Sequence, residues 1–259
     1  MSVLGLVPKI IIYFYIFIIG MCLGSFFMVV GYRVPKKETL SGRSHCDTCQ
    51  HQLAAWQLIP GISYLMLKGK CHYCSSKIGV QAPLFEVLTG VLFVMSAVLL
   101  QLTPETIVSL TMISLLLIIA VSDIKYRLIP NKVLLPFFIL ALIERFLIPQ
   151  TDYWWYPFAG FLVGFLPLYV LTLVKGQAMG GGDIKLFAVI GIFIGPIQVM
   201  VSLFVASVVA LIFYVGSFLV KQKQSKLIPF GPFIGIGTLL VYQYGTGQYQ
   251  QFIELLFRR

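Results

Sequence analysis

"TMISLLLIIAVSDIKYRLIP", residues 111–130, is the stretch whose reading decides the fold. From Thr111 to Val121 only Thr111 and Ser114 are polar, so the segment offers no polar stripe at helical spacing. A helix that is apolar all round is buried all round, in a large core or in lipid. The run then ends abruptly in Ser122 and Asp123, with Lys125 and Arg127 close behind and Pro130 closing it. Composition chooses between core and lipid. Of the 259 residues, 59% are hydrophobic and 11% charged, and the mean hydropathy is +0.93. Soluble domains carry about 25% charged residues. The chain is therefore read as an all-α polytopic membrane protein.

Apolar runs of about 20 residues are long enough to cross a bilayer as helices. Working outward from 111–130, eight such runs are read: 10–31, 84–101, 106–122, 131–148, 155–174, 184–197, 199–220 and 228–244. Several are short or hold Gly and Pro, so six to eight crossings are expected. The first run is too long for the apolar part of a signal peptide and has no basic region ahead of it, so it is read as a retained helix. The long polar interruption is 33–82.

The net charge is +10, carried by 19 Lys and Arg. No Arg-rich patch with stacked aromatics accompanies it, so nucleic-acid binding is not expected. The bias of Lys and Arg toward cytoplasmic loops explains the excess. Placing 33–82 in the cytoplasm puts there Arg33, Lys36, Lys37, Arg43, Lys68, Lys70 and Lys77. Alternation adds Lys125, Arg127, Lys132, Lys175, Lys185, Lys221, Lys223 and Lys226. Only Lys9, Arg145, Arg258 and Arg259 remain outside. Both termini are then predicted outside. The two Asp-Ile-Lys triplets, 123–125 and 183–185, fall at the cytoplasmic face. Lys125 and Lys185 read as anchors that reach to the interface.

The acids are more informative. Glu38 and Asp47 lie in the polar loop, Glu105 and Asp152 in short outer loops, and Glu254 in the tail. Glu86, Asp123, Glu144 and Asp183 lie in or against apolar runs, where a carboxylate is costly and marks function by default. Two aspartates at one membrane face can meet across a bundle. Carboxylates sharing a site do not both ionise, so one can take a proton from water while the other donates to a carbonyl. That is aspartyl protease chemistry. The same acids could also serve a proton-coupled transporter as a relay, or be separate helix-end charges in a scaffold that gathers other membrane proteins. Glu144, beside Arg145 near the outer surface, is read as structural.

The glycine run before Asp183 favours the first reading. Gly180-x-Gly182-Asp183 matches the G-x-G-D signature of intramembrane aspartyl proteases. In order along the chain come "GSFFMVVGYRVP" (24–35), "CDTC" (46–49), "GKCHYC" (69–74) and "APLFEVLTG" (82–90). "SDIKYRLIP" (122–130), "MGGGDIKLFA" (179–188) and "IPFGPF" (228–233) follow. With these motifs the chain resembles the type IV prepilin peptidases, over nearly its whole length. The resemblance implies a bacterial inner-membrane endopeptidase that cuts basic leaders from prepilins or pseudopilins after Gly. Such substrates serve pili, protein secretion or DNA uptake in competence. It implies Asp123 and Asp183 as the catalytic pair, with Gly180, Gly181 and Gly182 letting substrate backbone approach. It implies residues 1–101 as an N-terminal region with two helices and the cysteine loop, and 102–259 as the peptidase bundle. Many relatives also methylate the new amino terminus with S-adenosylmethionine, and Glu86 is a candidate contributor; its other reading is an acid tying the loop to the second span. Many relatives have Asn where this chain has Met28.

Cys46-x-x-Cys49 and Cys71-x-x-Cys74 can supply four thiolates to one tetrahedral zinc. A reducing cytoplasm disfavours disulfides there. His45, His51 and His72 are competing ligands, and Cys22 reads as a small packing residue. A metal would order a loop that has little core of its own. In "LAAWQLIPGISYLMLKGK" (53–70), Trp56, Leu58, Ile59, Tyr64 and Leu65 can lie on the membrane or bind a substrate's leader.

Overall fold

A computed structural model describes residues 6–42, 44–46, 48–176, 179–219 and 229–257. Arg43, Asp47, Lys221, Lys223, Lys226, Ile228, Arg258 and Arg259, used above, lie outside the described residues. The described chain is helical: α1 (Leu6–Arg33), α2 (Ile62–Met66), α3 (Gln81–Leu99), α4 (Pro104–Tyr126), α5 (Asn131–Leu147), α6 (Tyr156–Lys175), α7 (Gly181–Ile194), α8 (Pro196–Leu219) and α9 (Gly231–Phe257). A 3₁₀ turn occupies Ala55–Leu58. Among the described residues there is no strand, only the isolated bridges His45–Gln52 and Lys70–Lys77.

The long helices coincide with the eight apolar runs. Five are long and apolar enough to cross a membrane: Pro8–Arg33, Gln81–Leu99, Pro104–Tyr126, Tyr156–Lys175 and Pro196–Phe218. The other runs fall short for visible reasons. α5 has 17 residues with Pro136 inside it, α7 has only 14, and α9 turns polar beyond Gln243.

The chain divides into two compact units, Met1–Leu102 and Thr103–Arg259. In the first, α1 and α3 pack antiparallel. A Cβ on Gly20 would lie 2.8 Å from Gly90 Cα, and one on Gly24 would lie 3.1 Å from Glu86 Cα. Small residues let the two backbones approach, which is how helices associate where lipid is as apolar as Leu.

In the second unit α7 is the centre. Ile184 and every residue from Leu186 to Ile194 are buried. α6 packs against it where Gly160 meets the Gly191 carbonyl. α8 and α9 pack through Gly237 on Ser202 and Ala206, and Ser202 and Thr238 share a buried hydroxyl contact of 2.8 Å.

The far ends of these helices are fastened by an ion pair. Arg145 is 2% exposed. Its Nη1 and Nη2 donate to Glu105 at 2.8 Å each, its Nε donates to the Phe193 carbonyl at 2.7 Å, and Tyr242 donates to the same Glu105. Glu105, expected in an outer loop, is instead in the first turn of α4. Glu144 accepts from Thr111 at 2.6 Å, in keeping with a structural acid.

Candidate active site and metal centre

Asp123 sits in the last turn of α4 and is 6% exposed. Two features end the helix just beyond it. Arg127 adopts the left-handed conformation, φ 52°, and its N–H closes on the Asp123 carbonyl at 2.8 Å. Ser122 donates to the Leu128 carbonyl at 2.6 Å, which holds the turn into Pro130 and α5. A carboxylate at a helix C-terminus faces the negative end of that helix's dipole. The compensation comes from α9: the Gly231 N–H, at the positive end of α9, donates to Asp123 Oδ2 at 2.7 Å. A side chain at position 231 would crowd this contact, since its Cβ would stand 2.8 Å from the same oxygen.

Asp183 lies in the first turn of α7, where a helix dipole favours an anion. The glycines before it have separate roles. A Cβ on Gly180 would lie 2.8 Å from Asp183 Oδ2, and one on Gly182 would lie 2.8 Å from Ile129, on the connection that follows Asp123. Gly181 has nothing within 4 Å of the corresponding point. The start of α7 is thus seated against the turn after α4, the turn that follows Asp123. Sequence positions 60 apart are brought to one place at two helix ends. Lys125 and Lys185 are exposed, and Lys185 Nζ donates to Asn131 Oδ1 at 3.1 Å.

The four loop cysteines also converge. Their sulfur atoms all lie within 4.8 Å of one another. They are carried on two turns of the same construction, offset by 25 positions. In the first, Gln50 N–H bonds the Cys46 carbonyl at 2.9 Å, and in the second Ser75 N–H bonds the Cys71 carbonyl at 3.0 Å. Gln50 and Ser75 both have φ 57°. A bridge flanks each turn, His45–Gln52 and Lys70–Lys77.

Cys46 and Cys74 sulfurs are 3.8 Å apart. A tetrahedron with metal–sulfur bonds of about 2.3 Å has edges of about 3.8 Å, so the donor set fits a tetrahedral thiolate site. Backbone N–H groups of Cys49 and Thr48, with the Ser76 hydroxyl, bring the Cys46 thiol down to about 6. The Cys49 thiol rises to about 11: the His51 N–H opposes the rise, but desolvation and the neighbouring sulfurs outweigh it. Four thiols this close cannot all ionise unless a cation joins them. The competing ligands are not in the cluster. His51 lies tilted against Tyr73 with centroids 3.6 Å apart, and His72 meets Trp56 edge-on at 5.6 Å. Cys22 lies on α1, also outside the cluster.

Glu86 is buried on α3, and its Oε2 accepts the Gly61 N–H at 2.8 Å. It ties the loop to the helix, the second of the two roles expected for it. Gly231 escaped the sequence reading. Its place in "IPFGPF" marked a motif, and a Gly-Pro pair at a helix start was the available signal. Nothing local connects it with Asp123, which is 108 residues away.

Residues 18–100 match the bacterial peptidase A24 N-terminal domain, and 110–215 match the type IV leader peptidase family. The prepilin leader peptidase/N-methyltransferase of Bacillus subtilis is 36% identical over 242 residues, which cover 93% of this chain and 97% of that protein. The proteins of the same name from Vibrio cholerae and Aeromonas salmonicida are 31% and 30% identical. They cover 87% and 89% of this chain, and 94% and 90% of their own lengths. No solved structure matches the chain. With both domains matched in order and relatives aligned over most of their length, the chain belongs to the type IV leader peptidase family.

Proposed function

We propose that the protein is an aspartyl endopeptidase of the bacterial inner membrane that removes the basic leader of type IV prepilins or pseudopilins, with Asp123 and Asp183 as its catalytic pair. The observation that carries this is the seating of the helix end that bears Asp183 against the turn that follows Asp123, with Asp123 held by the Gly231 N–H at 2.7 Å. The ionised carboxylate takes a proton from water, and the hydroxide adds to the scissile carbonyl. The protonated carboxyl gives its proton to the carbonyl oxygen. As the resulting gem-diol collapses, one of its hydroxyls returns a proton to the second carboxylate, the C–N bond breaks, and the proton held by the first acid passes to the leaving amine. The open space at Gly181 leaves room for an extended substrate backbone beside Asp183. A proton-coupled transporter is less favoured, because transporter sites lie near the midplane and these acids stand in terminal turns.

In this reading all eight apolar helices enter the membrane. The charge distribution supports a cytoplasmic side for the 33–82 loop and the acid pair. Cys46, Cys49, Cys71 and Cys74 hold a structural zinc. The relatives' names include N-methyltransferase, and S-adenosylmethionine is the cofactor such a step needs. The described residues do not build a recognisable seat for it, and one Glu86 oxygen is already bonded to Gly61. No step is therefore assigned through that cofactor.

The test is co-expression with a prepilin that has a basic leader, Gly before the cut and an apolar helix after it. Wild type should yield the shortened product. Asp123→Asn and Asp183→Asn should each abolish it while still inserting into the membrane. Cleavage by either variant in a host without its own prepilin peptidase overturns the aspartyl mechanism.

A further inference from the structure

The segment between the two cysteine turns returns to the depth of the helices. Gly61 has φ 68°, and a Cβ there would lie 2.8 Å from Met21 Cε. Its N–H is capped by Glu86, whose Cα is level with Gly24. Met21 and Gly24 stand 12 and 9 residues before Arg33, the first cation after Lys9 on this span. At 1.5 Å per residue that is about 13–18 Å below the charged end of α1. A cleft of about 270 Å³ separates Ser25 and Phe26 of α1 from Leu58 and Pro60 of the loop.

The outward side of this segment is apolar. Leu65 is 76% exposed, Met66 67% and Ile62 53%, and Leu58 and Ile59 join them. Leu58 and Pro60 border the same cleft as Cys22 and Phe26, on the exposed face of α1. Exposed Lys68 and Lys70 follow at once. Part of the backbone is paired within the segment: Ser63, Leu65 and Leu67 N–H groups bond the carbonyls of Ile59, Gly61 and Ser63, and Ala54 N–H bonds the Gln57 side chain at 2.8 Å. The short helix α2 carries its own hydrogen bonds into lipid, and irregular backbone beside it is tolerated at membrane depth where protein or a water-filled cavity covers it, as α1 and the cleft do at Leu58 and Pro60.

We propose that residues 55–67 form a re-entrant segment inserted into the leaflet where α1 ends, with Leu58, Ile59, Ile62, Leu65 and Met66 against acyl chains and Lys68 and Lys70 at anionic headgroups. The occupant of the apolar face is lipid, argued from its depth, its continuity with the lipid-facing side of α1 and the paired cations at its rim. Glu86 is then the cap that makes the dip possible.

The test uses the full chain with its three tryptophans, Trp56, Trp154 and Trp155, changed to Phe, and a single probe at Leu65→Trp or, separately, Met66→Trp. The protein is reconstituted in phosphatidylethanolamine–phosphatidylglycerol vesicles with bromine on the acyl chains. Both probes should emit to the blue and lose most of their emission, as a Phe26→Trp control on α1 does, while aqueous iodide has little effect. Quenching of both by iodide and not by brominated lipid overturns the proposal in favour of a loop in water. Quenching by neither overturns it in favour of a protein cover. Agreement between the two probe positions guards against one substitution disturbing the loop.

Discussion

Gly231→Ala isolates the positioning of Asp123 from its chemistry. The added methyl would stand 2.8 Å from Asp123 Oδ2 and 3.1 Å from its Cβ, about 0.6 Å short of the 3.4 Å at which ordinary contact begins. The carboxylate must therefore swing or α9 must back away, and either motion degrades the 2.7 Å bond from the Gly231 N–H. Hydrogen bonds to charged groups are worth about 1.5–3 kcal/mol. If that term is lost from the reacting geometry, cleavage slows by roughly 10- to 160-fold. Folding should be little affected: the backbone at 231 is not left-handed, and replacing Gly at a helix start recovers up to about 1 kcal/mol of helix propensity. The assay is prepilin cleavage in reconstituted membranes, run beside thermal unfolding. Gly235→Ala is the control, because its nearest neighbour would be Leu116 Cβ at an ordinary 3.8 Å. If Gly231→Ala cleaves at the wild-type rate while Asp123→Asn is inactive, the backbone donor does not position the acid and the reasoning fails.

Freshly purified protein should carry about one zinc per chain by elemental analysis. Cys46→Ser or Cys74→Ser should lose it and open residues 40–80 to proteolysis. Metal should also be lost as pH falls, since protons compete for the thiolates. Gly160→Ala should destabilise the second unit by about 1–3 kcal/mol, read as a lower unfolding temperature, because the new methyl overlaps the Gly191 backbone rather than a side chain that can rotate away. Glu105→Gln should cost about 3 kcal/mol by leaving a buried guanidinium without its anion; an unchanged unfolding temperature would show that Phe193 and Ile148 carbonyls suffice for Arg145.

The long helices were legible because apolar runs in this chain are bounded by charges and by Gly or Pro. Their ends were less so. α4 runs on past Val121 to Tyr126, so Asp123 is inside its last turn rather than beyond it. Polar residues at a membrane edge can extend a helix, and hydropathy marks only where lipid stops. The two acids were found from cost: a carboxylate against hydrocarbon needs a reason. Arg145 was read as an outer charge beside Glu144, yet its partner is Glu105, 40 positions away. Adjacent residues on a helix point about 100° apart, so sequence neighbours are poor predictors of pairing. The repeated cysteine turns were legible as C-x-x-C, but their shared left-handed residues, Gln50 and Ser75, carry no sequence mark such as Gly.

The shortness of α7 hands the wetting of its end to the protein around it. Fourteen residues make a rod of about 21 Å, against about 30 Å of hydrocarbon. Because Ile184 and Leu186–Ile194 are buried by neighbouring helices, the missing length of about 9 Å falls among side chains and not against lipid. In the proposed reading Asp183 rides at the tip of that rod, so the longer helices packed on it, α4, α6 and α8, rather than the acyl chains, set how water reaches the acid.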